Sequence, residues 1–126
     1  MNPHPLANAI SAFISSEKQI ADLPWNQHPV FAGVALKHLI TGQETNGQMS
    51  QHLVRIEPNC AIGNHTHATQ WELHQVLAGA GETAMRNKTI PYAIGTISTI
   101  PLGEEHEVRA SGEGMMLLAT FSPPLV

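Results

Sequence analysis

The chain has 126 residues, 42% of them hydrophobic and 13% charged, with six Lys and Arg against ten Asp and Glu and a formal net charge of −4. That length suits one ordinary domain, and the apolar share is enough for one core. So few basic residues, with no basic stripe, exclude nucleic acid and anionic membrane surfaces as partners, and no window approaches the ~20 apolar residues of a membrane span.

The single cysteine, Cys60, allows no internal disulfide, which fits a reducing compartment. Residues 1–12 lack a basic region followed by a long apolar stretch. No signal peptide is therefore expected, and the cytoplasm is the expected location. The charged share is about half the usual one. A surface so poor in charge predicts that a second copy covers part of it, in a homodimer.

In chain order, residues 1–5 carry two prolines and predict a loose start. Leu6, Ile10, Phe13 and Ile14 recur at helical spacing, so residues 5–14 predict a short helix; the alternative is an arm that adds to a neighbouring sheet. The arm or helix is assigned to residues 1–24 and one barrel domain to residues 25–126. From Trp25 on, the period becomes two. Val34, Leu36, His38 and Ile40 alternate with Ala35, Lys37 and Leu39. A turn-rich stretch follows, with the hairpin signal Asn46-Gly47 near its end. His52, Val54 and Ile56 share one face of the returning strand, and Leu53 and Arg55 the other.

Pro58-Asn59 breaks that strand, and the next carries His65 and His67. Residues 71–77 form a further strand, ended by Gly79 and Gly81. Residues 82–85 lead into a turn at Asn87-Lys88. Gly95 opens residues 96–100, the Pro101-Leu102-Gly103 turn follows, and residues 106–109 and 115–121 complete the set. Many short strands with turn signals between them predict an all-β sandwich or small barrel. The turns are short enough for antiparallel neighbours. There is no internal repeat and no low-complexity tract.

His65 and His67 carry the chemistry. On a strand, residues two apart point the same way, so both imidazoles aim at one place. Glu72 can join them from the next strand, and His106 from a strand that returns to the same layer. Three nitrogens and one carboxylate oxygen suit one divalent transition metal ion per chain: iron, manganese, cobalt, nickel, copper or zinc. About two positions of a six-coordinate ion then stay free for water, dioxygen or a substrate oxygen. A closed structural zinc site would favour cysteine, of which there is one. Gln70 is a candidate to replace or supplement Glu72.

His74 follows Glu72 by two residues and shares its face. It is a candidate catalytic acid or base, or else a buried histidine that hydrogen-bonds a neighbour. His38 and His52 lie on apolar faces and read as satisfied core or interface histidines. Lys37 and Arg55 read as solvated or dimer-facing, with an acidic substrate as their partner if they face inward. Residues 115–118 form an apolar run suited to a strand buried on both faces. Trp71 falls on the face opposite Glu72. Cys60 has no assigned base, so no reactive role is expected. Glu104, Glu105 and Glu107 read as a solvated rim that draws cations.

From His65 the chain reads His-Thr-His, four residues, Glu72, six residues, Gly79; further on it reads Gly95, five residues, Pro101-Leu102-Gly103, two residues, His106. This resembles the two signature motifs of the cupin superfamily, over residues 59–110. Asn59 stands where the first motif usually opens with glycine and Ala110 where the second usually ends with asparagine. Asparagine tolerates the left-handed conformation that a turn needs there, and Ala110 replaces a residue that is not a ligand. The resemblance implies a double-stranded β-helix, the cupin jelly-roll barrel, with one metal ion near one end on His65, His67, Glu72 and His106. It implies a modest, largely apolar cavity for a small organic molecule.

One fold hosts many activities, so two function classes stay open. The first is a metal-dependent enzyme, led by an oxygenase, with an isomerase or lyase as the alternative. The second is a non-catalytic module that senses or captures a small ligand.

Overall fold

Side chains alternate between two environments along most of the chain, and that alternation builds the barrel. The computed structural model describes residues 4–126. After a 3-10 turn at Pro5–Asn8 come β1 (Ile10–Ala12), β2 (Glu17–Gln19), a second 3-10 turn at Ile20–Asp22, β3 (Asn26–Gln27), β4 (Val34–Ile40), β5 (Ser50–Ile56), β6 (Ala61–His65), β7 (Trp71–Met85), β8 (Lys88–Tyr92), β9 (Ile97–Ile100) and β10 (His106–Ser122). β1 and β2 form a separate hairpin. The other eight join in the order β3-β4-β5-β10-β7-β8, with β6 also paired to β10 and β9 to β7. Every pairing is antiparallel. No helix among the described residues is long and apolar enough to cross a membrane.

β7 and β10 are longer than the sequence suggests, because their glycines bend strands that continue. The β7–β10 register shifts between Ala110 and Met115, opposite Gly79 and Gly81. Gly79 has φ +73°, and a Cβ built there would lie 2.0 Å from the Gly114 carbonyl oxygen, so no larger residue fits. On one side of this bend β10 pairs with β5, and on the other with β6. Both long strands therefore serve both halves of the double-stranded β-helix.

The barrel interior takes one face of each strand. Val34, Val54, Ile56, Val76, Val108, Met115, Leu117 and Phe121 form its buried core. Each such side chain contributes roughly 1.5–3 kcal/mol by leaving water. The other face of β4, β5, β7 and β10 is also apolar. There Ile20, Leu39, Leu53 and Leu77 pack together with Leu6, Ala9, Leu23, Met116 and Leu118. The residues before β3 thus act as a cover over one outer face of the barrel.

That cover is not the helix expected at residues 5–14. Helical geometry stops at Asn8, and the chain turns into the β1–β2 hairpin, leaving Phe13 and Ile14 exposed. The apolar residues at helical spacing do not all reach one surface, and β-branched Ile10 with Ser11 beside it favours extended backbone. The loose start expected for residues 1–5 concerns in part residues 1–3, which lie outside the described residues.

Turn chemistry is otherwise close to expectation. Asn46 and Gly47 both have positive φ, as does Asn59 (61°). The hairpin after β7 turns on Arg86 and Asn87 rather than on Asn87-Lys88: both have positive φ, and Met85 pairs with Lys88.

Candidate metal centre

One end of the barrel gathers His65, His67, Glu72 and His106. Each offers one ligand atom, and these atoms all lie within 4.8 Å of one another. His65 ends β6 and sits directly opposite His106, the first residue of β10. Their ring centroids are 4.2 Å apart. Glu72, the second residue of β7, reaches in from the far side and is 6% exposed. His67 lies past the end of β6, in the segment that leads to β7, rather than on the strand itself. Its carbonyl accepts from the Gly103 N–H at 2.8 Å, which ties that segment to the turn before β10.

The hydrogen bonds settle which nitrogens face the centre. His65 Nδ1 bonds the Gly63 carbonyl at 2.7 Å and His106 Nδ1 bonds the Glu104 carbonyl at 2.9 Å. A carbonyl can only accept, so both Nδ1 atoms carry a proton, and in the neutral ring each Nε2 holds the free lone pair. His106 Nε2 lies 3.3 Å from Glu72 Oε1, and His67 Nε2 lies 3.6 Å from the same oxygen. Yet Glu72 Oε1 and His106 Nε2 are buried and make no hydrogen bond. An acceptor left unsatisfied in the interior costs about 1–3 kcal/mol. Two adjacent orphans, aimed at one point and flanked by two more donors, fit a metal ion.

Glu72 is held from behind. Its Oε2 accepts from His74 Nε2 at 2.8 Å, and His74 Nδ1 meets the Tyr92 hydroxyl at 2.9 Å. A carboxylate needs a donor, so His74 Nε2 carries a proton, and Nδ1 shares a hydrogen bond with the Tyr92 hydroxyl. Burial pushes the Tyr92 phenol up, which keeps it a donor. Both His74 nitrogens are thus engaged, at 2% exposure.

Charge follows the same geometry. Burial opposes ionisation of Glu72, but His74, His106 and His67 outweigh it and hold the carboxyl below its ordinary range. Burial also lowers the His65 and His67 pKa values. His106 is pulled down by burial but raised on balance by Glu72 and the Glu104 carbonyl. A deprotonated carboxylate and neutral imidazoles are the forms that bind a cation, so the shifts at Glu72, His65 and His67 favour binding, whereas a cation at His106 would have to displace the proton that Glu72 favours there.

A cavity of ≈ 100 Å³ adjoins the cluster, with Leu36, Ile62, Leu117 and Leu125 in its wall. His28 also lines it. Sequence reasoning missed this residue, because a lone histidine in a loop has no spacing that relates it to the ligands.

A cupin domain model matches residues 52–121 of the chain. The chain belongs to the cupin family. No curated protein matches its sequence. Solved structures share the cupin fold at low identity. A predicted oxalate decarboxylase from Thermotoga maritima superposes with TM-score 0.75 at 19% identity, over 82% of this chain and 95% of that one. The polyketide cyclase RemF from Streptomyces resistomycificus gives 0.75 at 17%, over 87% and 80%. KdgF from a Halomonas species gives 0.72 at 17%, over 82% and 88%.

Other candidates in this cupin fall outside the cluster. Gln70 Nε2 donates to the Pro124 carbonyl at 3.4 Å, while Glu72 offers its carboxylate oxygen to the gathered donors. Lys37 and Arg55 point out of the barrel and flank the Trp25 ring, at 5.1 and 4.2 Å from its centroid. Lys37 Nζ also donates to the Ile20 carbonyl at 2.9 Å, so it is buried under the N-terminal cover rather than solvated. His38 and His52 bond each other through Nδ1 at 2.8 Å, and His52 Nε2 meets Ser50 Oγ at 2.7 Å. Trp71 is half-exposed, on the face opposite Glu72. In the acidic rim, Glu104 and Glu107 pair with Arg86 and Arg109.

Proposed function

We propose that this cupin is a metal-dependent enzyme acting on a small organic molecule, of the oxygenase type. His65, His67 and His106 would hold one divalent transition metal ion through Nε2, and Glu72 through Oε1. The observation that carries the reading is the pair of orphaned atoms, Glu72 Oε1 and His106 Nε2, buried side by side where two further donors converge.

Bound there, the ion would supply Lewis acidity and, for iron, manganese, cobalt or copper, electron-transfer chemistry. The chain's own residues do the rest. The Gly63 and Glu104 carbonyls fix the His65 and His106 rings, so those two donors need no reorganisation. His74 fixes Glu72 by donating to Oε2, leaving Oε1 as the free donor. We assign His74 to the chemistry through this contact: Tyr92 Oη, His74 and Glu72 Oε2 form a line along which a proton can move. The apolar wall excludes water from a bound molecule. Among similar folds, those named as a decarboxylase and a cyclase support an enzymatic reading over a passive one.

Metal analysis of protein purified without added metal tests this, followed by oxygen uptake on adding small thiols or diketones. Iron with substrate-dependent oxygen uptake is the expected result. Tight zinc or nickel with no turnover of any compound would overturn it in favour of a non-catalytic binding module.

A further inference from the structure

The wall of the cavity away from the ligands limits what the site can hold, granted the metal-dependent reading above, on which this inference rests. The space measures ≈ 100 Å³, less than the ~150 Å³ that takes up benzene in an engineered protein core. Aside from histidines and Glu72, it is lined by Leu36, Val54, Ile62, Leu117, Phe121 and Leu125. No Lys or Arg among the described residues lines it. A molecule with a second anionic end would press that charge against aliphatic side chains with no partner.

His28 is the polar group in this wall that belongs to neither the ligand set nor the Glu72–His74 pair. Its Nδ1 accepts from the backbone N–H groups of Val30 (3.1 Å) and Phe31 (3.2 Å). A nitrogen that accepts cannot also carry a proton, so the neutral ring bears its hydrogen on Nε2. That N–H makes no hydrogen bond among the described residues. Burial lowers the pKa of the ring, favouring this neutral form. The ring packs against Phe31 with centroids 4.8 Å apart, and Phe31 lies 6.1 Å from the His65 ring. Gly63 permits this, since a Cβ there would lie 2.9 Å from the Phe31 ring. The chain thus spends two backbone donors and an aromatic contact on fixing one imidazole beside the ligands.

We propose that the cavity takes a small molecule with one oxygen-bearing head and a compact apolar body, and that His28 Nε2–H donates a hydrogen bond to it. In so small a space an occupant touches opposite walls, so its head meets both the ligand cluster and His28. Dicarboxylates, sugar acids and sugar phosphates do not fit this chemistry.

The test uses the full chain loaded with Co²⁺, with uptake scored by metal analysis before any probe is added. Acetohydroxamic acid, adamantane-1-hydroxamic acid and oxalate are then titrated against the Co²⁺ absorption bands. Acetohydroxamate should bind, the adamantyl compound and oxalate about tenfold more weakly or worse. Leu125→Ala, which enlarges the cavity, should narrow the gap between the two hydroxamates. His28→Ala should weaken acetohydroxamate about 5- to 10-fold with Co²⁺ affinity unchanged, and His28→Gln, which keeps an N–H donor, should recover part of the loss. Equal binding of the two hydroxamates, tighter binding of oxalate, or unchanged binding by the His28 variants would overturn the proposal. Failure of the wild-type chain to take up Co²⁺ would instead overturn the metal reading beneath it.

Discussion

His65 and His106 face each other as direct partners across the β6–β10 ladder, and each donates its Nδ1 proton to a carbonyl two residues back in its own chain. The two rings are therefore fixed by the same device from opposite strands. Each Nε2 is left free to meet the other donors, and the strand pairing itself sets the separation of the rings.

Metal content should be sensitive to each donor. His67→Ala removes one ligand and His106→Ala another, so each variant should lose most of its bound metal while keeping its fold. Metal analysis alongside circular dichroism checks this. Retention of wild-type metal by both variants would remove the cluster from consideration.

His74 should matter for affinity as well as turnover. His74→Phe leaves Glu72 Oε2 without its donor and Tyr92 without its partner. Loss of a group that orients a ligand typically costs about 10- to 100-fold in metal affinity. His74→Gln, which keeps an N–H near Oε2, should recover part of it. A metal titration distinguishes this from a free acid or base, whose loss would leave affinity untouched.

Acid should weaken the fold through His52. This ring has no exposed surface, and burial together with the neighbouring His38 pushes its pKa down to about 4, against a smaller opposing pull from Glu72. The folded pKa lies below the unfolded value of 6.5, so the unfolded chain takes up the proton first. The contribution is present above pH 6.5 and is lost as pH falls towards about 4, by up to about 3 kcal/mol. Denaturant midpoints at several pH values check the sign. His52→Gln should flatten the slope in that window.

Gly79→Ala should be severe. The left-handed backbone and the 2.0 Å approach to the Gly114 carbonyl leave no room for a methyl group. A loss of roughly 2–4 kcal/mol is expected, read as a lower denaturant midpoint. A neutral substitution would mean that the bend in β7 is not anchored there.

The sequence made some of this legible because some of its signals are local. His65 and His67 sit two apart, and although His67 lies past the end of β6 both reach the cluster; the motif spacings carried Glu72 and His106 with them. Asn59 announced its left-handed turn. Gly79, Gly81 and residues 111–114 misled, since a glycine that bends a continuous strand looks the same in sequence as one that ends it. The helix expected at residues 5–14 failed because the pattern of Leu6, Ile10, Phe13 and Ile14 does not reveal whether one surface awaits all four. His28 was illegible: its importance comes from the 28–33 loop folding back on β6, a long-range contact that no periodicity encodes. A buried, hydrogen-bonded His74 was one of the two expected readings, but its Tyr92 partner was invisible, because Tyr92 lies 18 residues further on.

The central claim is that four donors on three segments share one cation. Chelator-stripped protein titrated with Co²⁺ or Fe²⁺, with stoichiometry read by equilibrium dialysis and ligand type by X-ray absorption, tests it most directly. One ion per chain in a nitrogen and oxygen environment, lost in the His106→Ala variant, is the result expected. No uptake of either ion, or equal uptake by that variant, would contradict it.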